Sequence, residues 1–398
     1  MDDPRAARLA EATTLLAHDD ASVFNPVVPP IYQTSLFTFP TYAEMEAAFS
    51  GEVRRPIYSR GDNPTVMEVE QRIATLEGAE AARAFSSGMG AISATVLGLL
   101  QAGDRILAVR HLYGDTFRLF ERLLPRFGIT VDYIDGSDTE AVIAALPGAR
   151  LLYLESPTSM VFDMQDLPRL AAAAQAQGVI TAIDNSWATP LFQQPIRHGI
   201  DLVLHSASKY IGGHSDTVAG IVAGSAALVG RISQTTYSLF GAKLSPFEAW
   251  LLLRGLRTLT LRLPRHEASA LMIAERLREH PLVRRIHHPA FSSHAGTATL
   301  LGSTGLFSFE AKDGVDVPRF VDALRLIRLG VSWGGHESLV VPALASLRQT
   351  PDYNALARFE VSPQLIRLHI GLEDPESLWR DIDTALMQAQ QQGGGDDA

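Results

Sequence analysis

Lys209 ends the stretch Asp201-Leu-Val-Leu-His-Ser-Ala-Ser-Lys209, and Asp184 closes an apolar run upstream of it. A lysine placed after such a run is open to burial and neighbouring positive charge, which lower its pKa towards the free amine. A free amine condenses with an aldehyde to a Schiff base. An aspartate at a strand end can hold a proton on a pyridine nitrogen and so keep the ring electron-withdrawing. Together the two residues have the layout of a pyridoxal 5′-phosphate site on a parallel sheet. Alone, each has a plain reading, as a solvated surface lysine or as a turn aspartate. Their conjunction with the flanking hydroxyls of Ser206 and Ser208, and with a glycine-rich turn upstream, favours the chemical reading.

That turn is Ser86-Ser-Gly-Met-Gly90, which leads into the apolar helical run 94–100. Glycines let a backbone approach an anion, and amides at a helix start point towards it, so Gly88 and Met89 are candidates to cradle a phosphate. A loop of small residues is the plain alternative. Tyr113 follows a strand, where its ring could stack on a pyridine face and its hydroxyl could accept a proton. Ser332-Trp333-Gly-Gly and Arg367, which shares a strand face with Leu365 and His369, supply a group suited to bidentate recognition of a substrate carboxylate. The twelve histidines show no metal-binding spacing, and no metal is expected.

The elements that must position these groups are legible from residue 63 onward. Short apolar runs at 105–109, 151–154, 179–183 and 202–204 alternate with helical stretches such as 167–177, which implies crossover units and a mostly parallel sheet covered on both faces. Ligands of such sheets bind beyond the carboxyl ends of the strands, where Glu155, Asp184 and the segment 206–209 fall. Thr65-Val-Met-Glu68 reads as a capping box for a helix ended by Gly78, and Ser245-Pro-Phe-Glu248 as another. Helical composition then runs past Leu261, is interrupted at Pro264, and resumes to about Glu279. The expected organisation is a proline-rich arm over 1–60, a large α/β unit over 61–255, a smaller α+β unit over 256–390 with strands at 306–311 and 365–370, and a frayed tail over 391–398.

Composition narrows the function further. The chain has 398 residues, 46% hydrophobic and 20% charged, with a formal charge of −10 and no basic block, which argues against nucleic acid or an anionic membrane as partner. Absence of cysteine excludes disulfides and thiolate metal sites. The start, Met1-Asp-Asp-Pro-Arg-Ala, lacks the pattern of a signal peptide, and no uncharged apolar run reaches the roughly 18 residues of a membrane helix, so a cytoplasmic location is expected.

With these residues in place, the chain resembles the Cys/Met-metabolism enzymes, a fold-type-I group that uses pyridoxal phosphate. The motifs are Tyr58-Ser-Arg60 with Asn63-Pro-Thr65, Ser86-Ser-Gly-Met-Gly90, Glu155-Ser-Pro157, Asp184-Asn-Ser-Trp187, Ser206-Ala-Ser-Lys-Tyr210, Gly255-Leu-Arg-Thr-Leu259 and Leu365-Ile-Arg-Leu-His-Ile-Gly-Leu-Glu-Asp374. The resemblance is strongest to the branch that cleaves L-cystathionine by α,β-elimination, since Trp333 stands where γ-acting members carry leucine and Asp115 where methionine γ-lyases carry cysteine. It implies Lys209 as the Schiff-base lysine, Asp184 on the pyridine nitrogen, Tyr113 over the ring, and Gly88, Met89, Ser206 and Ser208 on the phosphate. It further implies Arg367 and Ser332 on the substrate carboxylate, with Trp333 beside it. Tyr58 and Arg60 would reach the phosphate of a neighbouring subunit and Tyr237 a neighbour's substrate, in a dimer with shared sites and a tetramer of two such dimers. Ser159 and His336 depart from residues common in the family and are expected to bear on substrate preference.

Overall fold

A computed structural model describes residues 3–17 and 24–390; the expected tail over 391–398 lies outside these. Seven strands form the larger sheet: β1 (Ala81–Phe85), β2 (Arg105–Val109), β3 (Thr130–Ile134), β4 (Leu151–Glu155), β5 (Ile180–Asp184), β6 (Leu202–His205) and β7 (Gly220–Gly224). Their order is β1-β7-β6-β5-β4-β2-β3, with β2 to β6 parallel and β7 antiparallel to both its neighbours. The apolar runs read from the sequence are the central strands, and the expected α/β class is borne out. Both faces are covered. Alternate residues feed two separate cores, with Ile106, Tyr153, Ala182 and Leu204 on one side and Leu107, Leu154, Ile183 and Val203 on the other. Strands buried on both faces need no polar alternation, which is why they read as unbroken apolar runs.

Four helices come early in the chain: α1 (Pro4–Ala17), α2 (Tyr42–Ser50), which buries no side chain, α3 (Pro64–Glu77) and α4 (Gly88–Leu99). Within the proline-rich arm, α1 buries Ala12 and Leu16 in the core that α3 and the helix Leu259–Glu279 share. The chain beyond it exposes Phe24, Val27 and Leu36. The capping box expected at Thr65 is corrected: Asn63 is the cap, its Oδ1 accepting from Thr65 N at 3.1 Å, with Pro64 in the first turn. The Thr65 hydroxyl is committed to the arm, donating to Pro30 O and accepting from Tyr32 N. Ser245 caps the helix Pro246–Leu256 as expected. The interruption expected at Pro264 falls earlier, at Arg257–Thr258, and Pro264 lies inside the helix Leu259–Glu279.

The second sheet contains β8 (Val283–His287), β9 (Leu306–Ala311), β10 (Arg328–Leu329), β11 (Leu339–Pro342) and β12 (Leu365–His369), in the order β10-β11-β12-β9-β8. Only its β10–β11 pair is parallel. Three helices, Leu259–Glu279, Val317–Ala323 and Pro375–Ala389, pack on one face through Ile273, Phe320 and Ile382. The opposite face of β12 carries Arg367 and His369 towards the first sheet's strand ends. Among the described residues, no helix is long and apolar enough to cross a membrane.

Candidate active site

Three parallel strands end side by side at one edge of the larger sheet. β4 ends in Glu155 and β5 in Asp184, directly paired in register, and β6 runs into the turn that carries Lys209. Asp184 Oδ1 accepts from Ser186 N at 3.0 Å and Ser186 Oγ at 2.6 Å. Ser186 Oγ in turn accepts from Ser206 N at 2.6 Å, so the aspartate and the lysine turn share one anchor. Burial raises the pKa of Asp184 despite these bonds and the nearby charge of His205 and Lys209. Burial, reinforced by Arg367, lowers that of Lys209 to about 8 against the opposing pull of Asp184. The Lys209 ammonium donates to Ser332 Oγ at 2.9 Å and lies 5.5 Å from the centre of the Trp333 ring.

Glu155 was placed at a strand end by the sequence but given no role. It is buried, and its Oε2 accepts from Tyr113 N at 2.8 Å, fixing the start of the short helix that follows β2. Burial and the charge of Asp184 raise its pKa well above the ordinary carboxylate range. Tyr113 is 44% exposed, its ring forming part of the cleft wall. Its hydroxyl donates to Asp115 at 2.9 Å, and burial together with that carboxylate pushes its pKa up to about 12. The hydroxyl therefore already has a carboxylate partner at the wall of the cleft.

On the β1 side, Ser87 caps α4 by accepting from Gly90 N at 2.9 Å. The Gly88 and Met89 amides precede the first amide bonded within the helix, as the opening amides of any helix do. A Cβ at Gly88 would sit 3.0 Å from both the Cβ and Oγ of Ser206, so glycine is what lets the helix start meet the lysine turn. Ser206 faces the cleft, whereas the Ser208 hydroxyl is taken by Ala219, accepting from its N at 2.9 Å and donating to its O at 3.2 Å.

The second sheet closes the other side. Arg367 is buried on β12, its Nη2 donating to Val331 O at 2.9 Å, and burial lowers its pKa to about 10. Tyr113, Asp184, Ser206, Lys209, Trp333 and Arg367 thus line a single cleft, with Ser332 at its edge. Ser159 also lines it, while His336 points outward beside Glu337. Tyr58 and Arg60 lie outside it on the exposed arm, with the guanidinium over the tyrosine ring at 5.3 Å. Tyr237 lies outside the cleft's lining: it is 2% exposed, packed edge-on against Phe85 at 5.1 Å and beneath Arg83.

The residues present fit pyridoxal phosphate. The cleft holds an amine whose pKa burial has lowered to about 8, a poorly solvated carboxylate with Oδ2 left over for a ring cation and an aromatic wall, and at Ser206 it meets the helix start that Gly88 lets come close.

Comparison with known proteins gives the same answer. The model of the Cys/Met metabolism PLP-dependent enzyme family matches residues 12–387. The chain is 41% identical to an L-methionine gamma-lyase of Pseudomonas putida, over 90% of this chain and 92% of that protein. It is 40% identical to a cystathionine beta-lyase of Lactococcus lactis subsp. cremoris, over 90% and 93%. The crystal structure of cystathionine gamma synthase from Xanthomonas oryzae pv. oryzae, in complex with cystathionine, superposes with a TM-score of 0.88 at 34% identity, covering 96% of this chain and 98% of that one. The fold is that of the fold-type-I enzymes. The chain belongs to the Cys/Met metabolism PLP-dependent enzymes.

Proposed function

We propose that the enzyme cleaves the Cβ–S bond of L-cystathionine by α,β-elimination, yielding homocysteine and, after hydrolysis, pyruvate and ammonia. Lys209 would carry pyridoxal phosphate, with Asp184 on its ring nitrogen, Tyr113 on its face, and Gly88, Met89 and Ser206 at its phosphate. When bound, the cofactor supplies an electron sink for the pair left on the substrate Cα. Lys209 Nζ takes the α-proton, a task suited to an amine whose pKa burial has lowered to about 8, and then delivers a proton to the departing sulfur. Arg367 has one Nη committed to Val331 O and presents the rest of its guanidinium to the cleft, where it pairs with the substrate carboxylate. Trp333 covers Lys209 and keeps water from the proton in transit. Tyr58 and Arg60, exposed on the arm, would complete the phosphate site of a second copy, making the working unit at least a dimer.

The observation that carries the β reading is the confinement of Lys209 Nζ between Ser332 Oγ and the Trp333 ring. α,β-elimination needs the amine at one carbon, whereas γ-cleavage requires a second proton to be taken from Cβ. A γ-acting enzyme is the second reading, favoured by the L-methionine gamma-lyase named among the relatives. Quantifying both keto acids from purified protein given L-cystathionine separates the two. Pyruvate with homocysteine is the expected pair; 2-oxobutyrate with cysteine would transfer the enzyme to the γ branch.

A further inference from the structure

Between β10 and β11 the chain carries Val331, Ser332, Trp333, Gly334 and Gly335 past Lys209. β12 holds this segment at two points. Arg367 and His369 lie on the same strand face, two residues apart. Arg367 Nη2 donates to Val331 O at 2.9 Å, and Gly334 N donates to His369 Nε2 at 3.0 Å. Ser332 and Trp333 lie between these two pins and make the contacts to Lys209. On its other side the segment rests on the lysine turn itself. Gly334 has φ +85°, and a Cβ there would fall 2.6 Å from Tyr210 N and 2.7 Å from Lys209 C.

We propose that His369 is a positioning residue, acting through the backbone of Gly334 to fix Ser332 and Trp333 against Lys209. The imidazole is 1% exposed, with the rings of His266 and Tyr210 packed at 5.3 and 5.8 Å. Its Nδ1 has no hydrogen-bond partner among the described residues, so the ring's polar contacts are all made by Nε2. Gly335 O lies 3.2 Å from the same nitrogen, so Nε2 bonds the segment in either tautomer, accepting from Gly334 or donating to Gly335. A buried ring with one unpaired nitrogen is a poor choice for packing alone, since an apolar residue would fill the space without that cost. The far end of the segment is tied separately, with Ser338 N and Oγ donating to the carboxylate of Glu373 at 2.8 Å, so loss of the His369 bond acts locally.

This role rests on Lys209 being the reactive amine, and is independent of which C–S bond is cleaved. The test uses the full-length holoenzyme and compares His369→Gln, which keeps a polar group near the Nε2 position, with His369→Phe, which keeps ring volume and removes both nitrogens. Two quantities are read: hydrogen–deuterium exchange of the peptide spanning 331–336, and kcat and KM for total keto acid release. For His369→Phe, exchange of that peptide should quicken by about tenfold or more, and kcat should fall by about 10- to 100-fold with a smaller change in KM, because a misplaced proton-transfer group costs rate while Arg367 still binds. His369→Gln should restore most of both. Equal losses in the two variants, or a His369→Phe protein with wild-type exchange and rate, would overturn the proposal. If His369→Phe does not fold, the Gly334 amide in the wild-type protein decides: protection matching the strand amides supports the pin, and free exchange removes it. Attachment of the cofactor to another lysine would defeat the reading of the site, while the exchange result would still report the pin.

Discussion

Replacing Lys209 by alanine is expected to cut turnover by about 10⁴-fold or more, the scale at which loss of a group that both transfers protons and bonds covalently is felt. The chain has three lysines, and only one of them borders the cleft. Lys312 is exposed, and Lys243 bridges to Phe85 in the strand layer, so neither can substitute. Initial rates of keto acid release, with cofactor content read from its visible absorbance, separate loss of the amine from loss of the cofactor. The expected variant still binds cofactor through the phosphate and ring contacts and turns over at background. Activity within tenfold of wild type would remove Lys209 from its role.

Asp184→Asn is expected to have the next largest effect. The amide keeps the shape of the carboxylate and can still accept from Ser186, but it carries no charge to hold a proton on a ring nitrogen. Removing one partner of a desolvated charge pair costs about 3–5 kcal/mol, so kcat should fall by about 10²- to 10⁴-fold. The pKa of Asp184 is raised by burial when no cation faces Oδ2. A bound cation relieves that cost, and the relief is the energetic signature of the pair. KM should move little, because Arg367 is untouched. An Asp184→Asn enzyme that loses KM and keeps kcat would place this residue on the substrate instead.

Much of this was legible in sequence because the central strands are buried on both faces. The runs ending at Val109, Glu155, Asp184 and His205 are mostly apolar, and the strand-end rule then pointed to the cleft that Asp184, Ser206 and Lys209 line. β1 and β7 were missed, since Ala81-Ala-Arg-Ala-Phe85 and Gly220-Ile-Val-Ala-Gly224 are rich in small residues and carry little strand propensity of their own. Glu155 was found at a strand end without a role, because its bond to Tyr113 N depends on how the segment after β2 turns back. Ser208 and Tyr237 show how much of a side chain's setting spacing leaves open. Their residue types suit a site, but Ala219 and Phe85 claim them, and those partners are set by tertiary packing. The pin from His369 to Gly334 joins residues far apart in the chain, and spacing alone gives no sign of it.

The most direct test of the account is to reduce the purified yellow holoenzyme with borohydride, digest it and locate the pyridoxyl label by mass spectrometry. The label is expected on the peptide containing Lys209 at close to one per chain. A label on Lys243 or Lys312, or none at all, would contradict the assignment of this cleft as the site of catalysis.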